Sequence, residues 1–420
     1  MNIESLKKEF ANCPCGRPHD FAMRAAEIGS GVTADAGRIL RRNSFGNRLL
    51  LVADKNTLAA ADGLLNVLDG FNVNKIIYEN LRKAEMKEVE RIEQALFEAD
   101  GVLAVGTGSI HDICRLAAAR QSKPLALFAT AASMDGFASD SAPIITDNGF
   151  KSSYAAKTPE VVIADTRILA RAPVELKAAG FGDMTGKYIG LIDWKVSHLV
   201  SGEYYCGKVA GLTRRTADGA FALAGVVTGK DEAVAGQMVE YLLLTGAGMS
   251  FVKNTRPASG TEHILSHFWE CTKLLKGELP DFHGRDVGVA TLLVKREYEH
   301  MAMRTTVKAH GEINDWEKIF GAFGALRGSV EKLNIPHTVT DDIDPRMIEA
   351  AWGEIRKTVA DTPSYQEIYD ALKTAGCPVT PDEVGVSGKL LRDSLKYHPY
   401  MRSRLSLYRL KNMIDLFPIS

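Results

Sequence analysis

Two imidazoles and a carboxylate can hold a divalent cation and leave coordination positions open, and the second half of this chain offers such a set. Asp183 lies in Gly180-Phe181-Gly182-Asp183-Met184-Thr185-Gly186. His263 lies in Ser259-Gly260-Thr261-Glu262-His263-Ile264-Leu265-Ser266-His267, and His283 in Asp281-Phe282-His283-Gly284-Arg285. A metal held by three side chains acts as a Lewis acid on whatever oxygen reaches its open positions. His263 and His267 are four apart and share a helix face. The spacing leaves open whether His267 is a ligand or faces a substrate. Ser259 with Glu262 has the capping-box pattern that starts that helix. Isolated histidines are commonly core or surface residues, so the joint pattern carries the argument.

Two further stretches suit a phosphorylated cofactor. Gly106-Thr107-Gly108-Ser109-Ile110-His111-Asp112 directly follows the apolar run Val102–Val105 and opens a helical pattern. Glycines there let backbone approach a phosphate, and a helix N-terminus adds free N–H groups. The same residues also suit a plain strand-to-helix turn. Thr130-Ala131-Ala132-Ser133-Met134-Asp135-Gly136-Phe137-Ala138-Ser139 follows the run Leu125–Phe128. It therefore falls at the carboxyl end of a strand, where ligands bind in open α/β sheets. Asp135 there could accept hydrogen bonds from a polyol, although an Asx or Ser/Thr turn uses the same residue types.

Cys13-Pro-Cys15-Gly-Arg-Pro-His19 resembles half of a metal site, but no second cysteine pair answers it. It reads rather as a local turn or a redox-sensitive loop. The remaining cysteines are Cys114, Cys206, Cys271 and Cys377, and the set is expected to stay reduced.

These residues need elements to position them. Arg48–Ala53, Lys75–Tyr78, Val102–Val105, Leu125–Phe128 and Val161–Ala164 read as strands, most of them apolar throughout. Between them, Leu58–Leu68, Val89–Phe97 and Ile110–Ala119 carry helical spacing. Apolar strands alternating with helices predict a parallel sheet covered on both faces. Beyond about residue 175 strand signals nearly vanish. Helical stripes run over Met238–Leu244, Ile264–Leu275, Val287–Tyr298 and Leu405–Leu416. The expected fold is an α/β dinucleotide-binding domain over 1–172 and an all-helical metal- and substrate-binding domain over 173–420.

Composition narrows the class. The 420 residues contain 51 Lys plus Arg against 52 Asp plus Glu, with 45% apolar and 25% charged residues. A near-neutral chain has no global attraction to nucleic acid or anionic membrane, and bulk disorder is excluded. No apolar run is long enough to span a bilayer. The start Met1-Asn2-Ile3-Glu4-Ser5-Leu6-Lys7-Lys8 lacks an apolar signal core, so a cytoplasmic location is expected.

Taken together, these motifs resemble the sn-glycerol-1-phosphate dehydrogenases, within the superfamily of iron-containing alcohol dehydrogenases, glycerol dehydrogenases and dehydroquinate synthases. The resemblance runs from about Leu49 to about Gly288. Its specific parts are T-A-A-S-M-D-G-F-A-S and S-G-T-E-H-I-L-S-H-F-W-E, and the N-terminal C-P-C-G-R-P-H points to the bacterial branch. The resemblance implies that Gly106, Thr107, Gly108, Ser109 and Ile110 hold a cofactor diphosphate, continued by Thr130, Ala131, Ala132, Ser133 and Ser139. Asp135 and His267 would contact substrate, and Asp183, His263 and His283 would bind a divalent metal, zinc or nickel, with Asp183 also near substrate. Asp183 and His267 are thus the expected catalytic residues. Asp54, at the end of the first apolar strand, would accept from the adenosine ribose and favour NAD over NADP, since a carboxylate there repels a 2′-phosphate. Thr107 stands where the superfamily often has Gly, and Arg115 where it often has Lys.

The implied reaction interconverts dihydroxyacetone phosphate and sn-glycerol 1-phosphate by hydride exchange with NAD(P)H. Lys187, Arg256 and Arg285 are candidates for the substrate phosphate. The partner is a small phosphorylated triose rather than nucleic acid, and the family commonly forms dimers or larger homo-oligomers. Glycerol dehydrogenase, dehydroquinate synthase and a non-catalytic NAD- and metal-binding protein are the rival readings.

Overall fold

The computed structural model describes residues 1–415. The apolar runs become a six-stranded parallel sheet in the order β1-β8-β5-β4-β2-β3. Its strands are β1 Ala25–Gly29, β2 Arg48–Asp54, β3 Asn72–Tyr78, β4 Gly101–Gly106, β5 Leu125–Ala129 and β8 Val161–Asp165. Between β5 and β8 the chain forms an antiparallel hairpin of β6 Ser141–Ile145 and β7 Lys151–Ala155. The helices that frame the site are α1 Ile3–Phe10, α2 Met86–Leu96, α3 Gly108–Arg120, α4 Val174–Ser201, α5 Gly207–Phe221, α6 Glu232–Val252, α7 Thr261–Leu275 and α8 His283–Ala302. Shorter helices follow as far as Leu407–Leu410.

The inner strands β4, β5 and β8 are buried along their whole length because helices cover both sheet faces. Side chains alternate across the sheet. Leu50, Val52, Val102, Ala104, Leu125 and Leu127 pack with Val89 and Ile92 of α2 and Ile113 and Ala117 of α3. Leu49, Leu51, Leu103, Val105, Ala126 and Phe128 pack on the other side with Ile39, Leu40 and Leu64. A separate apolar core in the helical half gathers Ile192, Leu265, Trp269, Val294 and Trp352.

Three sequence expectations need correction. The stripe Leu58–Leu68 is not one helix: a short helix, Lys55–Ala60, gives way to a turn around Gly63 (φ +81°) and a 3-10 turn at Leu65–Val67. The stripe Leu405–Leu416 is not a helix either. Leu407–Leu410 forms a single turn, Lys411–Met413 a 3-10 turn, and Ile414–Asp415 pairs with Lys308–Ala309, while Leu416 lies outside the described residues. Finally, β1 and the β6–β7 hairpin were not expected. No helix among the described residues is long and apolar enough to cross a membrane.

Helix α4 passes from the sheet into the helical half, and small residues govern its contacts. A Cβ on Gly182 would lie 2.2 Å from the Gly284 carbonyl oxygen, and one on Gly284 would lie 1.8 Å from that of Ala179. The absence of side chains at both positions lets α4 and the first turn of α8 touch backbone to backbone.

Candidate active site and metal centre

The carboxyl ends of β2, β4 and β5 face the helical half across a cleft of about 550 Å³. Asp54, Thr107 and Ser133 line one side, and His263, His283 and Arg404 the other.

Asp183, His263 and His283 arrive from α4, the first turn of α7 and the first residue of α8. One ligating atom from each lies within 4.8 Å of the others, and His263 Nε2 is 3.4 Å from Asp183 Oδ1. Both imidazoles are fixed from behind. His263 Nδ1 donates to Glu262 Oε1 at 2.6 Å, and His283 Nδ1 donates to Glu270 Oε1 at 2.7 Å. A carboxylate only accepts, so each Nδ1 carries the proton and each Nε2 keeps its lone pair for the shared point. This donor set fits a divalent ion that takes imidazole and carboxylate. His267, Glu270 and His283 form a second compact set. There Glu270 already serves as the oxygen partner of His283 Nδ1 and of Lys151 Nζ (2.7 Å), which suits it to orient ligands rather than to join them.

The start of α7 differs from the expected capping box. Gly260 is the N-cap, Glu262 Oε1 accepts the Gly260 N–H at 2.9 Å, and the Ser259 hydroxyl turns to Arg404 instead. Buried Asp193 completes the support. It accepts from Thr261 N (2.7 Å), Tyr298 OH (2.6 Å) and Leu407 N (2.9 Å), tying α7, α8 and the C-terminal turn to α4.

His267 is held differently. Its Nδ1 lies 3.2 Å from Arg402 Nη2. Guanidinium only donates, so Nδ1 accepts and Nε2–H is the donor left to face the cleft. Burial and the Lys151 charge hold the imidazolium well below its ordinary range, which keeps the ring neutral.

Lys187 is not free to meet a phosphate. Its fully buried ammonium contacts Asp135 Oδ2 and Asp183 Oδ1, both at 2.7 Å, and the Ala258 carbonyl at 3.0 Å. Burial opposes ionisation of Asp183, but the Lys187 ammonium and His263 hold its carboxyl far below the usual range. Burial and the neighbouring Asp183 charge push Asp135 up. Arg256 is also engaged, with Glu203, Ser197 and the Leu405 carbonyl, and Arg285 pairs with Asp281 at 3.0 Å. The lysines and arginines that do line the cleft are Arg82, Lys83, Lys151, Arg402 and Arg404; of these, Arg82 lies over the Phe282 ring and Lys83 pairs with Glu85. Arg404 bonds the Ser259 carbonyl at 3.0 Å and the Thr255 hydroxyl. Sequence reasoning missed Arg402 and Arg404, because Met401-Arg402-Ser403-Arg404 has the texture of an exposed segment.

The two loops expected to hold a cofactor divide into lining and support. Thr107, Gly108, Ser109, Ile110, Ser133, Asp135 and Ser139 line the cleft. Gly108 has φ +43° and open space where a Cβ would stand, so backbone is presented directly. No side chain caps the α3 N-terminus, and its first turn has no acidic residue. Thr107 Oγ1 and Ser133 Oγ are 2.6 Å apart, joining the two loops. Gly106, Thr130, Ala131 and Ala132 lie beneath: Thr130 N–H donates to the Gly106 carbonyl at 3.0 Å, and Ala132 packs its carbonyl against Gly180. Arg115 is buried under these loops, donating to the Ser139 and Ser141 carbonyls at 2.7 and 2.6 Å. Asp54 caps the helix after β2 by accepting from Thr57 N (2.8 Å), and also accepts from Leu81 N (3.3 Å).

Comparison with known proteins places this geometry. A family model described as iron-containing alcohol dehydrogenase matches residues 27–173. A glycerol-1-phosphate dehydrogenase (NAD(P)+) of Halalkalibacterium halodurans is 33% identical over 319 residues, covering 74% of this chain and 79% of the relative. Another of that name, from Geobacillus stearothermophilus, is 29% identical over 411 residues, 94% of each chain. Among solved structures, a sulfoacetaldehyde reductase from Bifidobacterium kashiwanohense in complex with NAD+ covers 94% of this chain and 97% of its own at TM-score 0.62 and 15% identity, a likeness of fold.

Proposed function

The chain belongs to the glycerol-1-phosphate dehydrogenase family, and from that membership we propose that it interconverts dihydroxyacetone phosphate and sn-glycerol 1-phosphate with NAD(P)H. The observation that carries this reading is the convergence of Asp183, His263 and His283 in the same cleft as the Thr107–Ile110 loop and two arginines.

Asp183, His263 and His283 would hold one divalent ion, zinc or nickel, with Glu262 and Glu270 fixing the imidazoles. The Thr107–Ile110 backbone and the α3 N-terminus would hold the cofactor diphosphate, with Ser133 and Ser139 beside it. Asp54 retains lone pairs for a ribose hydroxyl, and its charge favours NAD. When bound, the nicotinamide supplies hydride exchange at C2 and the ion supplies Lewis acidity toward the C2 oxygen. The chain's own residues do the rest. His267 donates its Nε2 proton in a hydrogen bond to substrate. Asp135, pinned by Lys187, accepts from a substrate hydroxyl. Arg402 and Arg404 take the phosphate, which planar, multi-donor guanidinium groups suit. On this reading the chain divides into a cofactor domain, 1–172, and a metal and substrate domain, 173–420.

NADH oxidation by protein refilled with zinc or nickel tests the proposal. Dihydroxyacetone phosphate should be turned over far faster than dihydroxyacetone. Equal turnover, or preference for dihydroxyacetone, makes the protein a glycerol dehydrogenase instead.

A further inference from the structure

Away from the cleft, three thiols and an imidazole converge on a point that the redox chemistry does not use. Cys13, Cys15 and His19 come from the loop after α1. Cys206 is the residue before α5, 187 positions beyond His19. The sequence offers no second cysteine pair for Cys13 and Cys15; the fold supplies one distant cysteine and the nearby histidine.

The distances suit a tetrahedral ion. Cys13 Sγ is 3.5 Å from Cys206 Sγ, and His19 Nε2 is 3.2 Å from Cys15 Sγ and 3.6 Å from Cys206 Sγ. All four atoms lie within 4.8 Å of one another. Bonds of about 2.3 Å to sulfur and 2.0–2.1 Å to nitrogen place tetrahedral donors roughly 3.5–3.8 Å apart. His19 is also aimed. Its Nδ1 donates to the Phe251 carbonyl at 2.9 Å, which leaves the Nε2 lone pair toward the sulfurs. Phe10 and Phe251 pack around the ring with centroids 5.8 and 5.7 Å away. His19 and Cys206 are buried, while Cys13 and Cys15 are half-buried and leave a route in from solvent.

We propose that Cys13, Cys15, His19 and Cys206 bind a second, structural divalent ion of the zinc class in a closed Cys3His site. Four protein ligands leave no open position, which separates it in kind from the cleft centre. A Cys13–Cys206 disulfide is the competing use of these thiols, and it leaves Cys15 and the oriented imidazole without a role. The site clamps the N-terminal segment to the start of α5 and the end of α6. Helix α6 in turn backs the Asp135 turn, where Ser250 Oγ donates to the Ala138 carbonyl at 2.7 Å.

Metal analysis of the full-length protein should find two ions per chain, falling to one in the His263→Ala/His283→Ala double variant. Cobalt-substituted protein should show intense thiolate-to-cobalt charge-transfer absorption. That band should survive the double variant and disappear in Cys15→Ser, whose half-exposed position spares the fold, and in Cys206→Ser. One ion in the wild type with none in the double variant overturns the proposal. So does a charge-transfer band that persists in Cys15→Ser, or thiol titration and mass showing a native Cys13–Cys206 disulfide.

Discussion

Gly182 and Gly284 meet so closely that a Cβ on the first would sit 2.2 Å from the carbonyl oxygen of the second. Each glycine adjoins a residue of the proposed metal centre: Asp183 follows one and His283 precedes the other. The helix contact thus sets the separation of two proposed ligands that lie 100 positions apart in the chain. Gly284→Ala should force α4 and α8 apart, lower stability by about 1–3 kcal/mol through overpacking, and lose cleft metal. Urea unfolding and metal analysis would check this, and wild-type metal content with wild-type stability would refute it.

Glu262→Gln should keep the shape around His263 but remove the carboxylate that fixes its tautomer. Cleft metal affinity should fall about 10- to 100-fold, read by chelator competition. His263→Ala should lose both cleft metal and turnover. Full activity in a metal-free His263→Ala protein would remove the metal from the reaction.

Arg402→Ala and Arg404→Ala should each reduce kcat/KM for dihydroxyacetone phosphate about 10- to 100-fold, the worth of a charge-assisted hydrogen bond of roughly 1.5–3 kcal/mol. Turnover of dihydroxyacetone should change much less in Arg404→Ala, whereas Arg402→Ala also releases His267 Nδ1 and should slow both substrates. A parallel loss on both substrates in Arg404→Ala would mean that Arg404 does not read the phosphate.

Asp54→Asn keeps an oxygen to cap the helix after β2 and removes the charge facing a 2′-phosphate. The ratio of NADP to NAD efficiency should rise about tenfold, equivalent to ~1.4 kcal/mol of relieved repulsion. An unchanged ratio places the ribose elsewhere.

Burial pulls His111 and His398 down to about 3 from 6.5. Both rings are neutral in the folded chain, whereas in the unfolded chain they gain protons near their ordinary value. Stability is therefore fully present above pH 6.5 and declines as pH falls from there toward 3, by about 1.4 kcal/mol per pH unit for each ring. His398→Gln retains a donor for the Ser394 carbonyl and should remove one ring's share of that slope. Urea unfolding across this pH range would measure it, and identical slopes in variant and wild type would exclude His398 as a contributor.

The strongest sequence signals were those with one physical cause. Strands β4, β5 and β8 read as apolar runs because they are buried on both faces, and the Gly106–Asp112 turn followed from its position after one of them. β1 and the β6–β7 hairpin escaped notice because Ala-Ala-Glu-Ile-Gly is short and mixed, and β6 carries Pro143. That Asp183, His263 and His283 belong together was legible as a joint pattern. Their carboxylate supports were not, since Glu262 reads as a capping-box residue and Glu270 as an ordinary helix-surface residue until α7 is buried. From the sequence Lys187 is one of three candidates for the phosphate, since nothing local brings Asp135 beside it. Only the packed interior reveals a second carboxylate, Asp135, closing over the same ammonium.

The outer position of β1 also orders the assembly of the chain in time. Ala25 pairs with Val161, 136 residues later, an interval of roughly 7–27 s at ordinary ribosomal speeds of about 5–20 residues per second. Strands β2 to β5 can join one another as they emerge, while β1 has no neighbour until β8 is made. The sheet strand that is synthesised first is thus placed only once the strand synthesised last has arrived.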